Sequence, residues 1–405
     1  MIKTRFFCLL LTFLLMLSAV ALIGCGEEPP AAGEQNGNGA LNITAGADGR
    51  SAYQLAQEAG FEGDRAEWLA QIGTAWSDTA KAAELQELLT LKHELRVRED
   101  GSFKVLVFSD VQCSSMQKLI DTGTVDNIEK IVKREKPDLV LFAGDISYGM
   151  SSAKKLREYL AVMVECIEDM HIPWAHVYGN HDTENSEWYS AISKEEQQEI
   201  YESFEYCVSK AGDESLFGIG NYVLPVMTND GSGIAFNVWA LDTGSYTDTP
   251  SADIVNKGNY FYGKYEGMQA DQVEWYKQTS QLLEEFNGGK VPGMVYFHIP
   301  LQETYTAWDW DRKGIEGQKL ENISAPTVNA GLFDAIRERG DVSLVIHGHD
   351  HINDFSAEYK GITLCYTASI GTEVYHDEAM LGGRVVTFSA ADPTKFETYM
   401  SRVNG

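Results

Sequence analysis

Five short, mainly apolar runs punctuate the chain: residues 105–108, 139–142, 172–178, 294–297 and 343–346, built largely from Val, Leu, Ile, Met, Phe, Tyr and Trp. Runs of this length with little polar alternation predict strands buried on both faces. Between the first three, the spacing changes to that of amphipathic helices. Residues 124–136 carry Val125, Ile128, Ile131 and Val132 on one face and stop at Pro137, and residues 154–170 repeat the arrangement. Strand, helix, strand in this order predicts parallel βαβ units. Further on, the pattern predicts a helix over 194–210, strands over 222–224 and 234–241, and a helix over 269–286 bearing Val273, Trp275, Tyr276, Leu282 and Leu283. From Tyr305 through Trp308, Trp310, Asp311 and Arg312 to Val328 the text is polar and aromatic. It reads as a loop, either shaping access to a site or packed as an insertion. Residues 363–366, 383–388 and 396–399 read as strands of a second sheet closing a sandwich. The fold class is α/β.

The ends of the five runs carry the candidate chemistry. The first stops at Ser109, Asp110, Val111 and Gln112, the second at Gly144 and Asp145, and the third at Gly179, Asn180, His181 and Asp182. The fourth stops at His298, and the fifth at His347, Gly348, His349, Asp350 and His351. Open α/β sheets gather their sites at the carboxyl ends of strands. Asp, Asn and His supply the oxygen and nitrogen donors that first-row metal ions accept. One histidine after a strand is ordinarily a hydrogen-bonded structural residue; five such endings in one chain point to a metal site.

In order and spacing this set resembles the signature of the calcineurin-like metallophosphoesterases, over roughly residues 100 to 400. The resemblance implies a four-layer α/β/β/α sandwich and two metal ions, Mn, Zn or Fe. Asp145 would bridge them, Asn180, His298 and His349 would complete one site, and Asp110 and His351 would belong to the other. Gln112 stands where the family usually has His; its amide oxygen can replace a neutral imidazole without changing the charge at the metal. By the same resemblance His181 is not a ligand but meets the substrate phosphate and its leaving oxygen, with Asp182 orienting it from behind. Gly144-Asp145-Ile146-Ser147-Tyr148 resembles the Gly-Asp-x-x-Tyr of purple acid phosphatases, in which Tyr binds ferric iron; the alternative is a phenol packed under the loop. The expected activity is hydrolysis of a small phosphorylated substrate, a phosphomonoester or phosphodiester. A different class of reading is a surface binding protein that kept the fold and lost the reaction.

The amino-terminal text adds an address. Lys3 and Arg5 precede an apolar stretch from residue 6 to 23 that closes in Leu22-Ile23-Gly24-Cys25. This is the form of a secretory signal, and with Cys at the cut it resembles the bacterial lipobox; an uncleaved anchor is the alternative. The expectation is a lipid on Cys25 and a protein held at the extracytoplasmic face of the membrane. Residues 1–25 are then the signal, 26–45 a flexible tether, 46–95 a short helical module with a connecting helix over 75–93, and 96–405 the catalytic domain. The module's Gly-x-Asp-Gly-x-Ser-Ala-Tyr and Gly-Phe-x-Gly text resembles a short element of bacterial surface and phage-tail proteins. Acidic residues outnumber basic ones 60 to 32, for a net charge of −28, and no basic run exists to track a phosphate backbone. Nucleic acid is therefore not an expected partner. Beyond Cys8 and Cys25, the cysteines Cys113, Cys166, Cys207 and Cys365 show no redox or zinc spacing.

Overall fold

The computed structural model describes residues 80–112, 122–184, 192–247, 265–310 and 314–405. The signal, Cys25, the tether, residues 46–79, Cys113 and the pair Asp311 and Arg312 lie outside the described residues.

Two sheets form the middle of the fold. The first half of the chain supplies β1 (Leu95–Arg96), β2 (Ser102–Phe108), β3 (Leu139–Ala143) and β4 (Trp174–Val177). The second half supplies β5 (Tyr222–Met227), β6 (Ile234–Ala240), β7 (Gly293–Tyr296), β8 (Val342–His347), β9 (Ser356–Tyr359), β10 (Ile362–Tyr366), β11 (Gly382–Ser389) and β12 (Phe396–Arg402). One sheet has the order β12-β11-β2-β3-β4 and the other β1-β5-β6-β7-β8-β10-β9. Within the first, β2, β3 and β4 are parallel; within the second, β6, β7 and β8 are parallel. All five apolar runs thus end at the carboxyl edges of parallel strands, three in one sheet and two in the other.

The side-chain period of two explains why these runs lack polar alternation. Val105, Val107, Leu139, Leu141, Ala175 and Val177 face Phe236, Val238, Met294, Tyr296, Leu344 and Ile346 in a core between the sheets. Their alternate neighbours Leu106, Phe108, Val140 and Phe142 face outward onto α2 (Thr122–Glu135) and α3 (Ala153–Met163), through Ile128, Ile131, Val132, Leu156 and Leu160. On the other sheet Trp239, Val295, Val345 and Leu364 pack against α6 (Ala270–Asn287) and α8 (Leu332–Arg339). The result is the expected helix, sheet, sheet, helix layering. Among the described residues no helix is long and apolar enough to cross a membrane.

Of the connecting helix expected over 75–93, the described part is α1 (Ala80–Leu89), and tertiary contacts moved several other boundaries. The second crossover helix divides at Val164 into α3 and α4 (Glu165–Asp169). The helix expected over 194–210 is α5 (Lys194–Glu202) and ends at Ser203, because Tyr206 and Val208 are drawn into backbone hydrogen bonds with Trp174 along the edge of β4. The expected polar aromatic loop begins as a helix, α7 (Gln302–Trp310). Thr304 and Ala307 are buried there, and Trp308 rests on Phe355 with ring centroids 4.7 Å apart. The carboxyl-terminal strands do not make one closing sheet: β10 pairs parallel with β8, while β11 pairs antiparallel with β2 and carries β12.

Candidate metal centre

The five strand ends converge on one buried cluster. Asp145 Oδ2 lies 3.0 Å from His298 Nε2, and His298 Nε2 lies 3.3 Å from His349 Nδ1. Ligand atoms of Asp145, His298 and His349 all fall within 4.8 Å of one another. Asp110 Oδ1 lies 3.4 Å from His351 Nε2 and 4.0 Å from His298 Nε2. Asn180 joins through the turn that follows β4, where the next backbone N–H, that of His181, donates to Asp145 Oδ1 at 2.8 Å. Asp110, Asp145, Asn180, His298, His349 and His351 are all buried.

The backbone is strained to achieve this. Among the described residues other than glycine with φ in the left-handed region, Asp110 (53°), Gln112 (38°), Asp145 (51°) and His349 (78°) belong to the site. Each such conformation costs about 1–3 kcal/mol and persists where surrounding contacts over-determine it. Two glycines leave room for the close approach. A Cβ at Gly179 would collide with the Asp145 carboxylate, and one at Gly348 with Ser109 and Asp110.

Hydrogen bonds fix which imidazole nitrogens face the cluster. His298 Nδ1 donates to the Ala143 carbonyl at 2.8 Å, and His351 Nδ1 donates to the Tyr375 carbonyl at 2.8 Å. Both rings therefore turn Nε2 towards carboxylates. An Nε2 lone pair facing a carboxylate oxygen at 3.0 Å is tolerable only with positive charge between them, a proton or a metal ion. Burial opposes a charge on His298, yet Asp145 and Asp110 push its pKa up to about 10. Burial likewise opposes the charge of Asp145, and His298 nonetheless holds it below the usual carboxylate range. Asp110 is raised, mainly by burial, with His351 and His298 opposing. His349 is lowered well below the ordinary imidazole value, first by burial and then by His298.

The donor set fits metal ions. Asp110 Oδ1, Asn180 Oδ1 and His349 Nε2 are buried with no hydrogen-bond partner, and such orphaned acceptors are costly unless a cation or water meets them. Two carboxylates, an amide oxygen and three imidazoles suit Mn, Zn or Fe. Gln112 lies against Asp145, with its amide nitrogen donating to Asp145 Oδ2 at 2.7 Å. An amide nitrogen has no lone pair to offer, so ligation by Gln112 requires the amide to turn over and present Oε1.

The role expected of Asp182 needs correction. Its carboxylate accepts from the backbone N–H groups of Asp145, Ser147 and Gly179 at 2.9, 2.8 and 2.7 Å, tying the loops after β3 and β4 together. Those bonds engage both of its carboxylate oxygens with backbone amides. Burial and the Asp145 charge push Asp182 up to about 6. The partner of His181 Nδ1 is Glu184, 2.6 Å away. Tyr148 lies flat on the His181 ring, with centroids 4.6 Å apart and planes at 17°.

Other contributors carried weak sequence signals. Glu184 stands three residues after His181, a spacing compatible with many roles. Tyr246, which accepts from Asn180 Nδ2 at 2.8 Å, and Ser245, whose hydroxyl donates to the Asn180 carbonyl at 3.1 Å, follow Asp242-Thr243-Gly244 at the end of the β6 run. That ending was a sixth of the same kind. Tyr375 stacks on His351 at 4.0 Å and donates to Glu321 at 3.0 Å; nothing in its sequence surroundings marks it. Cys166, Cys207 and Cys365 are free thiols, the last buried between the sheets.

A sheet sandwich with an Asp, Asn and His cluster across its carboxyl edges is the arrangement of the calcineurin-like phosphoesterases. The model of that family matches residues 103–353, and the chain belongs to it. It is 31% identical over 320 residues to the Arabidopsis thaliana protein named probable inactive purple acid phosphatase 14, covering 72% of this chain and 75% of that protein. With the Saccharomyces cerevisiae protein named phosphatase DCR2 it shares 26% identity over 293 residues, 67% of this chain and 48% of that protein. A solved dimetal phosphatase from Danio rerio aligns with a TM-score of 0.46 at 13% identity, over 74% of this chain and 98% of that one.

Proposed function

We propose that the protein hydrolyses phosphoesters with the help of two metal ions, in the cluster formed by Asp110, Asp145, Asn180, His298, His349 and His351. The observation that carries this reading is the convergence of unpartnered buried acceptors, Asp110 Oδ1 and Asn180 Oδ1, with imidazoles whose other nitrogens are already engaged. Asp145 would be shared, with Asn180, His298 and His349 on one side and Asp110 and His351 on the other. Metal ions of the Mn, Zn or Fe type, when bound there, supply positive charge for the phosphoryl oxygens and ease the deprotonation of water. Hydrolysis forms a bond between water oxygen and phosphorus and breaks the bond to the leaving oxygen. The leaving oxygen keeps the electron pair and takes a proton from His181, which is restored by the proton the water gives up.

The protein is further proposed to act at the extracytoplasmic face of a membrane, held by a lipid on Cys25. The basic start, the apolar stretch to Ile23 and the Gly24-Cys25 junction support this.

Metal content and turnover together test the hydrolase reading. The expected result is about two metal ions per chain by elemental analysis, with hydrolysis of p-nitrophenyl phosphate or bis(p-nitrophenyl) phosphate. Bound metal with no turnover of any ester would favour a binding protein that lost catalysis. No bound metal would overturn both.

A further inference from the structure

His181 is gripped by two residues to which the reading above gives no task. Glu184 Oε2 meets ring Nδ1 at 2.6 Å, and the Tyr148 ring covers one ring face at 4.6 Å. The backbone joins the three into one unit, since the N–H groups of Gly149 and Glu184 both donate to the His181 carbonyl, at 3.0 and 3.2 Å. Gly149 has φ of +54°, and a Cβ there would collide with the Glu184 carbonyl, so the loop after β3 and the loop after β4 are closed against each other at this point.

A carboxylate can only accept, so the hydrogen in the Glu184 contact belongs to His181 Nδ1. In the protonated ring this leaves Nε2–H as the group that can give a proton to the substrate, and in the neutral ring that remains it fixes the Nδ1–H tautomer with Nε2 open. The stacked phenol ring of Tyr148 limits rotation of the imidazole about its side-chain bonds. A partly exposed ion pair contributes little to stability, so holding the loop does not by itself account for the arrangement. Asp182, nearer in sequence, is committed to backbone N–H groups and leaves this task open.

We propose that Glu184 and Tyr148 are positioning residues for His181: together they fix its tautomer and plane so that Nε2 is presented to the leaving oxygen of the phosphoester. The proposal rests on the reading of His181 as the group that meets the leaving oxygen. It assigns to a local unit, built from the loops after β3 and β4, the preorganisation that general-acid catalysis needs.

The test uses the metal-loaded full chain, a series of phosphate esters with leaving groups from p-nitrophenol through phenol to an alkyl alcohol, and the variants Glu184→Ala, Glu184→Gln, Tyr148→Ala and Tyr148→Phe. A nitrophenolate departs without protonation and an alkoxide does not. Glu184→Ala should therefore lower kcat about 10- to 100-fold on the alkyl ester and within about threefold on the nitrophenyl ester, with KM and metal content unchanged. Glu184→Gln, which keeps an acceptor oxygen, should recover most of the loss. Tyr148→Ala should lose rate in the direction of Glu184→Ala, and Tyr148→Phe, which keeps the stacked ring, should recover most of that loss. A second readout is independent of turnover. Among nine histidines, the His181 ring signals are identified in nitrogen-15 spectra by their loss in His181→Asn. At a pH where the ring is neutral they should report Nδ1–H in the parent and a shift to Nε2–H in Glu184→Ala. An Nε2–H tautomer in the parent, an unchanged tautomer in Glu184→Ala, or equal loss on every leaving group would overturn the proposal. Should the parent hydrolyse no ester with any metal, the hydrolase reading fails, and the spectra still decide whether Glu184 sets the ring.

Discussion

The side-chain amide of Asn180 donates to the phenol oxygen of Tyr246 at 2.8 Å, and in doing so turns its own Oδ1, buried and unpartnered, towards the metal cluster. Groups that orient a ligand in this way typically affect metal affinity 10- to 100-fold. Tyr246→Phe should weaken binding of the ion proposed for the Asn180, His298 and His349 position by about tenfold. Competition against a chelator, with the unfolding midpoint as a control for the fold, measures it. Unchanged affinity would mean that the phenol plays no part in holding the amide.

His181 faces a different expectation. It stands next to Asn180 but is assigned to chemistry, so His181→Ala should lower kcat by about 10²–10⁴-fold, the usual scale for a general acid, with metal occupancy retained. Loss of metal together with rate would make it a ligand.

The first metal position turns on Gln112 and Tyr148. Ionising a phenol with an ordinary pKa of about 10 calls for a strong Lewis acid such as ferric iron. Tyr148 is instead stacked on His181, and Gln112 is already against Asp145. We therefore expect a colourless protein in which Gln112→Ala lowers occupancy of the first position and Tyr148→Phe keeps it. A visible charge-transfer band in iron-loaded protein, abolished by Tyr148→Phe, would reverse the assignment.

Acid stability depends on a histidine away from the cluster. His176 is buried, stacks on Tyr201 at 3.6 Å and pairs with Ser209 at 2.8 Å. Burial lowers its pKa from 6.5 to about 3. The unfolded chain therefore takes up this proton at a higher pH than the folded one. The stability in question is fully present above 6.5 and is lost as pH falls towards 3, by about 1.4 kcal/mol per pH unit. His176→Phe should remove one proton's worth of that slope between pH 4 and 6, roughly 2–3 kcal/mol at pH 4.5 relative to the parent's own loss. Denaturant unfolding at a series of pH values reads this directly.

For the amino terminus, Cys25→Ser should release the protein from the membrane fraction, and mass spectrometry of the parent should find lipid on Cys25. A variant that stays in the membrane fraction, with no lipid on the parent, would refute the anchor.

The sequence alone determined the strands that matter and the donors at their ends. A strand buried on both faces must be apolar throughout, so the first polar residue after it marks the sheet edge; Asp110, Asp145, Asn180, His298, His349 and His351 were legible for that reason. The α/β class followed from the change of period between the runs. What the chain order could not convey is which edge meets which. The division of the runs between two sheets and the separation of β10 from β11 were decided by pairing across long stretches of sequence. So was the end of α5 at Glu202, where the edge of β4 offered backbone partners that outcompeted helix propensity. The same holds inside the site. Asp182 is adjacent to His181 in sequence, but the turn after β4 points its carboxylate into the backbone amides of two loops, while the turn at Gly149 brings Glu184 and Tyr148 to the ring. Tyr246 reaches Asn180 from the other sheet. Residue type sets which atoms can bind a proton or a metal; only the packing of two sheets against each other sets the distance and angle at which they meet.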